Sequence, residues 1–244
     1  MSKPAYVRQR HVFVNEILSC LNADFLLSSR CYFGGGTRIV LELGEYRESA
    51  GIDFLCSERN GYRALRSTIS ETSLGEIAAA PIAFARDIRG DQYGIRTVLE
   101  AHGQRIKFEI LNEARIDLSG EVIERMHIPC LDRLCCFAEK LLANHDRWRD
   151  DSASSRDAVD LGFMVNGWGI GDFVAGARRA REAYGDGIEE SIRAAAQKLL
   201  ADKMHFRKCV DALAVREPGV LISGLQSIVS SRWTCKPRTP GKQS

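Results

Sequence analysis

Long apolar runs are what this sequence most clearly lacks. No segment approaches the roughly 20 consecutive apolar residues that a membrane-spanning helix needs. The first residues also lack an uninterrupted apolar core followed by a small-residue cleavage site, which is the pattern of a secretory signal. We therefore expect no membrane partner and a cytoplasmic location.

Metal-binding cysteine motifs are absent too. The chain has eight cysteines, but it has no Cys-x-x-Cys pair, and none of the eight has a histidine at zinc-ligand spacing. Most of them lie inside apolar segments, where a reduced thiol behaves as a small hydrophobic group. We expect buried, reduced cysteines in a reducing compartment rather than a disulfide framework.

A strong excess of charge of either sign is also missing. With 34 Lys and Arg against 32 Asp and Glu, the net charge is only +2, which argues against strong nucleic-acid affinity through charge alone. The last residues differ, because 232–244 carry four cations and no acid. This segment is predicted to be a flexible basic tail that either contacts RNA or makes the chain more soluble.

The pattern of apolar residues changes near the middle of the chain. Before about Leu118, strand-like and helix-like segments alternate, and afterwards nearly every segment shows helical periodicity. This order predicts an α+β fold, with a mixed β-sheet and flanking helices followed by a helical C-terminal half. The predicted domains are residues 1–120 and 121–231, with the tail at 232–244.

The most informative local feature is a glycine-rich turn between a strand at 31–33 and a short helix at 38–43. Gly34, Gly35 and Gly36 allow the backbone to approach a phosphate closely, and Thr37 adds a hydroxyl group. The helix start directs free N–H groups and a positive dipole end at the same point. Such turns are also common structural devices, and this one is not a Walker loop because no Gly-Lys-Ser/Thr follows.

Two carboxylates lie within strand-like segments. Asp53 lies in an apolar run, where an unpaired charge is costly to bury, so we expect either a metal ion or a salt bridge, for instance with Arg47. Glu109 shares a strand face with Lys107, which is typical either of a metal ligand or of a solvent-facing Lys/Glu stripe. Two such carboxylates beside a phosphate-binding turn are what metal-assisted phosphoryl transfer requires.

A third group of charged residues lies on two predicted helices. Lys140 and Arg147 fall near one face of the first helix, and Arg156 and Asp160 share a face of the next, with Asp157 one position round. The cations can contact phosphates while the acids orient them. Spacing alone favours a solvated, salt-bridged helix pair.

Taken together, these segments resemble the AbiEii/AbiGii-type toxin nucleotidyltransferases, a branch of the DNA polymerase β-like nucleotidyltransferase superfamily. The resemblance covers residues 31–161, about half of the chain. Each motif alone is unspecific, but the ordered set is fairly specific. The matching segments are Gly35-Gly36-Thr37, Arg47-Glu48-Ser49, Ile52-Asp53-Phe54, Lys107-Phe108-Glu109, Ala138-Glu139-Lys140 and Arg156-Asp157 through Asp160-Leu161.

The resemblance implies a nucleotidyltransferase-like fold and transfer of a nucleoside monophosphate from a nucleoside triphosphate to an acceptor, with RNA such as tRNA as the expected acceptor. It also implies Mg²⁺ or Mn²⁺ held by Asp53 and Glu109, and a cognate antitoxin as partner. The implied catalytic residues are Asp53, Glu109, Lys140, Asp157 and Asp160. The implied nucleotide-binding residues are Gly34, Gly35, Gly36, Thr37, Arg47, Ser49, Lys107 and Arg156.

One position departs from the family pattern. The family carries an acid two residues before the aspartate that matches Asp53, and this chain has Gly51 there. Glu48 is not expected to share that strand face. The missing ligand leaves three alternatives, namely a degenerate binding protein, an inactivated variant or an unusual metal site. A nucleotide-binding pseudoenzyme acting through a protein or RNA partner is therefore the main alternative function, and a helical RNA- or partner-binding module is a weaker one.

Overall fold

The computed structural model describes residues 6–231. Within them, seven strands form one mixed sheet in the order β3-β4-β5-β2-β1-β7-β6. Strands β1 and β7 are parallel, as are β2 and β5, and the remaining neighbours are antiparallel. The strands are β1 Cys31–Gly34, β2 Ile52–Cys56, β3 Ala83–Gly90, β4 Gly94–Ala101, β5 Gln104–Asn112, β6 Gly120–Ile123 and β7 Ile128–Leu131.

Helices flank this sheet and make up nearly all of the chain after it, as the α+β prediction requires. Four of them lie before residue 70 and the other six follow β7. The described helices are α1 Gln9–Ser19, α2 Ala23–Ser28, α3 Gly35–Glu42, α4 Arg59–Thr68, α5 Arg133–Arg147, α6 Arg156–Trp168, α7 Ile170–Tyr184, α8 Gly187–Ala201, α9 Lys203–Ala212 and α10 Pro218–Ser230.

The helical segment begins at Arg133 and not at residue 121, because β6 and β7 come first and belong to the sheet. Both strands were missed at the sequence level. Strand β6 has only four residues, and β7 contains Pro129, which argues against a strand because proline cannot donate a ladder hydrogen bond. The division into two domains stays a prediction, and the basic tail lies outside the described residues.

Two apolar clusters cover the two faces of the sheet. Phe54 and Phe108 belong to the cluster that includes the buried face of α1, whereas Leu55 belongs to the cluster formed with α5 and α6. Since side chains alternate along a strand, Asp53 lies on the same face as Leu55. The acidic residue of β2 is therefore directed toward the side that the C-terminal helices cover.

The cysteines and the helix lengths agree with the composition. All seven cysteines of the described residues are free, and each except Cys20 is buried. Burial raises the pKa of the Cys136 thiol to about 12, so this thiol stays protonated. Between residues 6 and 231, no helix combines the length and the apolar character needed to cross a bilayer.

Candidate nucleotide and metal site

The glycine-rich turn is pressed against the predicted metal ligand. Strand β1 ends at Gly34, and α3 begins at Gly35, whose φ of +66° lies in the left-handed region that favours glycine. A Cβ on Gly35 would lie 2.6 Å from Oδ2 of Asp53, which is too close for any side chain. The turn therefore needs glycine both for its backbone conformation and for its approach to the carboxylate.

The two predicted metal ligands lie side by side. Asp53 on β2 is in register with Glu109 on the parallel strand β5, and on its other side it is in register with Gly34. Adjacent strands lie about 4.8 Å apart, so both carboxylates rise from one sheet face next to the turn. Arg47, a proposed salt-bridge partner of Asp53, binds Asp160 instead, so that alternative was wrong.

The two carboxylates have different electrostatic surroundings. Burial and the charge of Glu109 raise the pKa of Asp53. Glu109 itself is bound by Lys107 Nζ at 2.5 Å and by Arg96 Nε at 3.4 Å. Two carboxylates suit one Mg²⁺, which is commonly held by one or two carboxylates together with substrate phosphates. Among residues 6–231, no cluster of three or more His, Cys, Asp or Glu side chains is placed to hold a metal ion.

Gly51 leaves open space where the family's additional acid would stand. A Cβ on Gly51 would lie 3.7 Å and 4.0 Å from the carboxylate oxygens of Asp53, which is ordinary van der Waals contact. A Cβ therefore fits at this position without a close contact. Glu48 lines the same cavity as Gly51, and its carboxylate is 3.0 Å from Arg8 Nη1.

Behind the turn, the charged residues of α5 and α6 form a buried network. Asp160 accepts hydrogen bonds from Arg47 Nε at 2.6 Å and Nη2 at 2.8 Å, and Lys140 Nζ lies 2.6 Å away. Asp157 is 3.1 Å from Lys140 Nζ and accepts two hydrogen bonds from Arg147. The interpretation as a solvated helix pair was wrong, since Asp157 and Asp160 are only 3% and 0% exposed.

The network carries one uncompensated positive charge. Three cations, Arg47, Lys140 and Arg147, surround the two acids Asp157 and Asp160, so the sum of formal charges is +1. Arg47 and Lys140 keep the pKa of Asp160 well below its usual value. Both acids therefore remain charged at neutral pH, and the surplus positive charge adjoins the cavity described next.

A cavity of about 640 Å³ lies between the sheet and α5, which is a common size for a small-molecule site. Its walls bring together most of the predicted site residues, namely Gly35, Gly36, Arg47, Ser49, Asp53, Lys107, Glu109, Lys140 and Arg156. Four others lie just behind the wall. Gly34 is opposite Asp53, Thr37 contacts Ser49, and Asp157 and Asp160 bind Lys140.

Comparison with known proteins identifies the family. The model of the family described as nucleotidyl transferase AbiEii toxin, type IV toxin–antitoxin system, matches residues 16–217. The chain belongs to the AbiEii family. No curated protein sequence matches significantly.

One solved structure supports the nucleotidyltransferase-like fold of this AbiEii chain. A proposed nucleotidyltransferase from H. pylori superposes with a TM-score of 0.50 at 16% identity, covering 91% of this chain and 96% of that one. JHP933 from Helicobacter pylori is similar at 16% identity, with coverage of 91% and 93% and a TM-score of 0.49. At such identity the first comparison shows a shared fold and nothing about the substrate.

The structure also reveals residues behind the glycine-rich turn that the motifs did not indicate. The Thr37 hydroxyl is 2.8 Å from the Ser49 hydroxyl, and the backbone N–H of Ser49 donates to Nε2 of His11 at 3.3 Å. His11 Nδ1 is 2.8 Å from Glu45 Oε1. Because Nε2 accepts a hydrogen bond, Nδ1 carries the proton and donates a hydrogen bond to Glu45. Burial lowers the pKa of this imidazole. His11 and Glu45 lie 34 residues apart, so only the fold brings them together.

Replacing His11 with alanine tests whether its hydrogen bonds to Ser49 and Glu45 stabilise the structure behind the turn. We expect His11→Ala to lower the free energy of unfolding by about 1–3 kcal/mol, because it leaves the Ser49 N–H and the Glu45 carboxylate with fewer partners. His11→Gln is the matched control, since an amide can accept from Ser49 and donate to Glu45. Urea unfolding at pH 7 measures both variants. Equal stabilities of the two variants would contradict the proposed support.

A second carboxyl pair in this AbiEii chain is formed by Glu139, which lines the cavity, and Glu113. Burial and the charge of Glu113 raise the pKa of Glu139 to about 8. Arg115 holds Glu113 with hydrogen bonds of 2.6–3.2 Å and reaches Glu139 at 3.2 Å. Glu139 belongs to the Ala-Glu-Lys motif, but its motif position alone did not indicate a carboxyl group with a raised pKa.

Proposed function

We propose that this AbiEii-family chain transfers a nucleoside monophosphate from a nucleoside triphosphate to an acceptor hydroxyl with Mg²⁺ or Mn²⁺, and that Gly51 lowers its rate. The observation that carries the proposal is the register of Asp53 with Glu109 beside the Gly34–Gly36 turn. This register supports the function that the family implies, because the carboxylate pair and the glycine-rich turn then line the same cavity.

The triphosphate binds along the turn in this proposal. The first N–H groups of α3, at Gly35 and Gly36, have no partner within the helix and are directed at an anion at its N-terminus. Lys140 and Arg156 supply positive charge from the opposite wall of the cavity. The buried acids Asp157 and Asp160 hold Lys140 in place rather than contacting the substrate.

The transfer step then needs a base and an aligned acceptor. The acceptor oxygen attacks the α-phosphorus, the bond from phosphorus to the bridging oxygen breaks, and pyrophosphate leaves with that electron pair. The hydroxyl proton passes to Glu109, which lies across from Asp53 on the neighbouring strand. Asp53 and Glu109 would hold a divalent ion, which would neutralise phosphate charge and lower the pKa of the attacking hydroxyl.

The proposals for the acceptor and for the protein partner rest on membership of the family rather than on the geometry of the site. We propose RNA, such as the 3′ end of tRNA, as the acceptor, and a cognate antitoxin as the protein that opposes the activity. The type IV toxin–antitoxin description of the matching family supports the second proposal.

Metal removal is the first test. The purified chain is incubated with total tRNA and each of four labelled triphosphates, in Mg²⁺, in Mn²⁺ or in excess EDTA, beside a mock purification from the same host. We expect label in RNA with metal and none in EDTA, because the triphosphate charge is then not neutralised. If no triphosphate labels RNA or protein with either metal, the proposed activity is wrong.

The missing acid at Gly51 favours one alternative, a nucleotide-binding pseudoenzyme. A triphosphate that binds the folded chain without turnover stabilises it by about 2.7 kcal/mol at a concentration one hundred times the Kd. A rise in melting temperature with no label transferred would therefore support the pseudoenzyme.

A further inference from the structure

An uncompensated row of arginines lies on the exposed face of α4. Arg59, Arg63 and Arg66 follow one another at spacings of four and three residues, so they share one side of the helix, and all three are exposed. Within residues 6–231, no carboxylate lies within 4.0 Å of any of them. Like charges at this spacing destabilise a helix, so the row is unfavourable unless an anion binds it.

These arginines line a groove that carries no acid. Its volume is about 490 Å³, and its other wall includes the amide side chains of Gln92 and Asn112. The Asn112 amide nitrogen donates to the carbonyl of Gln92 at 2.8 Å, which ties the end of β5 to the turn between β3 and β4. The groove therefore combines three cations with two amide groups that can form hydrogen bonds with a ligand.

An exposed aromatic ring stands next to the groove. Tyr93 is 66% exposed. Its backbone is nevertheless held by two hydrogen bonds: its N–H donates to the Asp91 side chain, and its carbonyl accepts from the backbone N–H of Asn112. A solvent-exposed ring on a well-anchored turn offers a flat surface on which a nucleobase can stack. Arginines that follow a phosphate backbone beside such a ring are the usual elements of a site for single-stranded nucleic acid.

The groove and the catalytic carboxylates lie on opposite faces of the sheet, near the same end of β5. Asn112 lies three residues beyond Glu109 on β5, a separation of roughly 10 Å along a strand. Arg96 lies between the two places, with Nε 3.4 Å from Glu109 and Nη1 3.6 Å from Asp91. A strand bound in the groove must therefore pass round the end of the sheet to bring its end to Asp53 and Glu109.

We propose that the groove lined by Arg59, Arg63 and Arg66, together with the neighbouring Tyr93, binds a single-stranded polynucleotide whose acceptor end passes round the end of the sheet to the catalytic cavity. The role of this strand as acceptor rests on the proposed function, whereas binding itself does not. The arginines contact successive phosphates, Tyr93 stacks on one base, and Gln92 and Asn112 face the polar edges of the bases.

Fluorescence anisotropy of a labelled 12-nucleotide single-stranded RNA, measured over a range of salt concentrations, tests the groove. For Arg59→Gln/Arg63→Gln/Arg66→Gln we expect the slope of log affinity against log salt to fall by about 2, since each phosphate contact contributes about 0.7 on a single strand. For Tyr93→Ala we expect affinity to fall roughly tenfold with the slope unchanged, and Tyr93→Phe should bind like the wild type. Binding of the same sequence as DNA or as a duplex shows whether the sugar or the single-stranded form is recognised.

The matched control removes the same charge elsewhere. Arg178, Arg207 and Lys208 are exposed on α7 and α9, and their replacement by glutamine should leave RNA affinity close to that of the wild type. Equal losses of RNA affinity in both triple variants, or an unchanged salt slope in the α4 variant, would show that the groove does not bind RNA. Absence of RNA binding by the wild type would overturn the proposal as well.

The two proposals fail in different ways. If RNA binds as described but no nucleotide is transferred, the groove stands and the transferase proposal is wrong. If label enters RNA equally well in wild type and in the α4 variant, the transferase stands and the groove does not direct the acceptor. Unchanged thermal unfolding of the variants excludes loss of fold as the cause.

Discussion

Replacing Gly51 with aspartate is expected to raise metal-dependent nucleotide incorporation roughly a hundredfold, since about 3 kcal/mol of added transition-state stabilisation corresponds to that factor. A Cβ at this position meets Asp53 oxygens only at 3.7 and 4.0 Å, so the substitution begins without a steric clash. The new carboxylate would stand on the same side of β2 as Asp53. Incorporation of labelled nucleotide at saturating Mg²⁺ measures the change.

Two control variants separate charge from shape. Gly51→Asn adds nearly the same volume without a charge, so we expect no gain from it. Adding Asp53→Asn to the Gly51→Asp chain removes the ligand that faces both the turn and Glu109, and we expect incorporation to fall to background. If Gly51→Asp is no faster than Gly51→Asn, the chain does not lack a metal ligand at this position.

The carboxylate pair could be predicted because strands follow a simple rule. Asp53 and Glu109 each interrupt an apolar run, and side-chain alternation places a residue on one of only two faces. The glycine-rich turn was equally accessible, since few other residues permit the φ of Gly35. What remained open was which strands become neighbours, and the parallel pairing of β2 with β5 settles it.

The charged helices could not be interpreted correctly from the sequence. Helical spacing shows that Arg156 and Asp160 share a face, but it does not show what covers that face. The partner of Asp160 is Arg47, which lies 113 residues away in a loop. The same limit applies to Arg8, whose Nη2 donates to the carbonyl of Ala214 206 residues away. Contacts of this range depend on the packing of the whole chain.

Replacing Asp160 with alanine is expected to lower the free energy of unfolding by about 3–5 kcal/mol, because it leaves buried cations without their counter-ion. Asp160 is 0% exposed and binds Arg47, Lys140 and the Tyr46 hydroxyl, the last at 2.6 Å. The melting temperature of a chain of this size should fall by roughly 10 °C. Urea unfolding and thermal unfolding at pH 7 measure the two quantities.

The pH dependence of the same residue shows whether the charge or the shape of Asp160 matters. Its pKa is lowered in the folded state by Arg47 and Lys140, so the charge stabilises the fold above the unfolded pKa of about 3.9. This stabilisation is lost as the pH falls toward the folded pKa, because the carboxylate must then be protonated. The stability difference between wild type and the uncharged isostere Asp160→Asn should therefore be largest near pH 7 and shrink below about pH 4. A difference that stays constant between pH 7 and pH 3 would show that packing, and not the ion pairs with Arg47 and Lys140, holds α6 against the loop that carries Arg47.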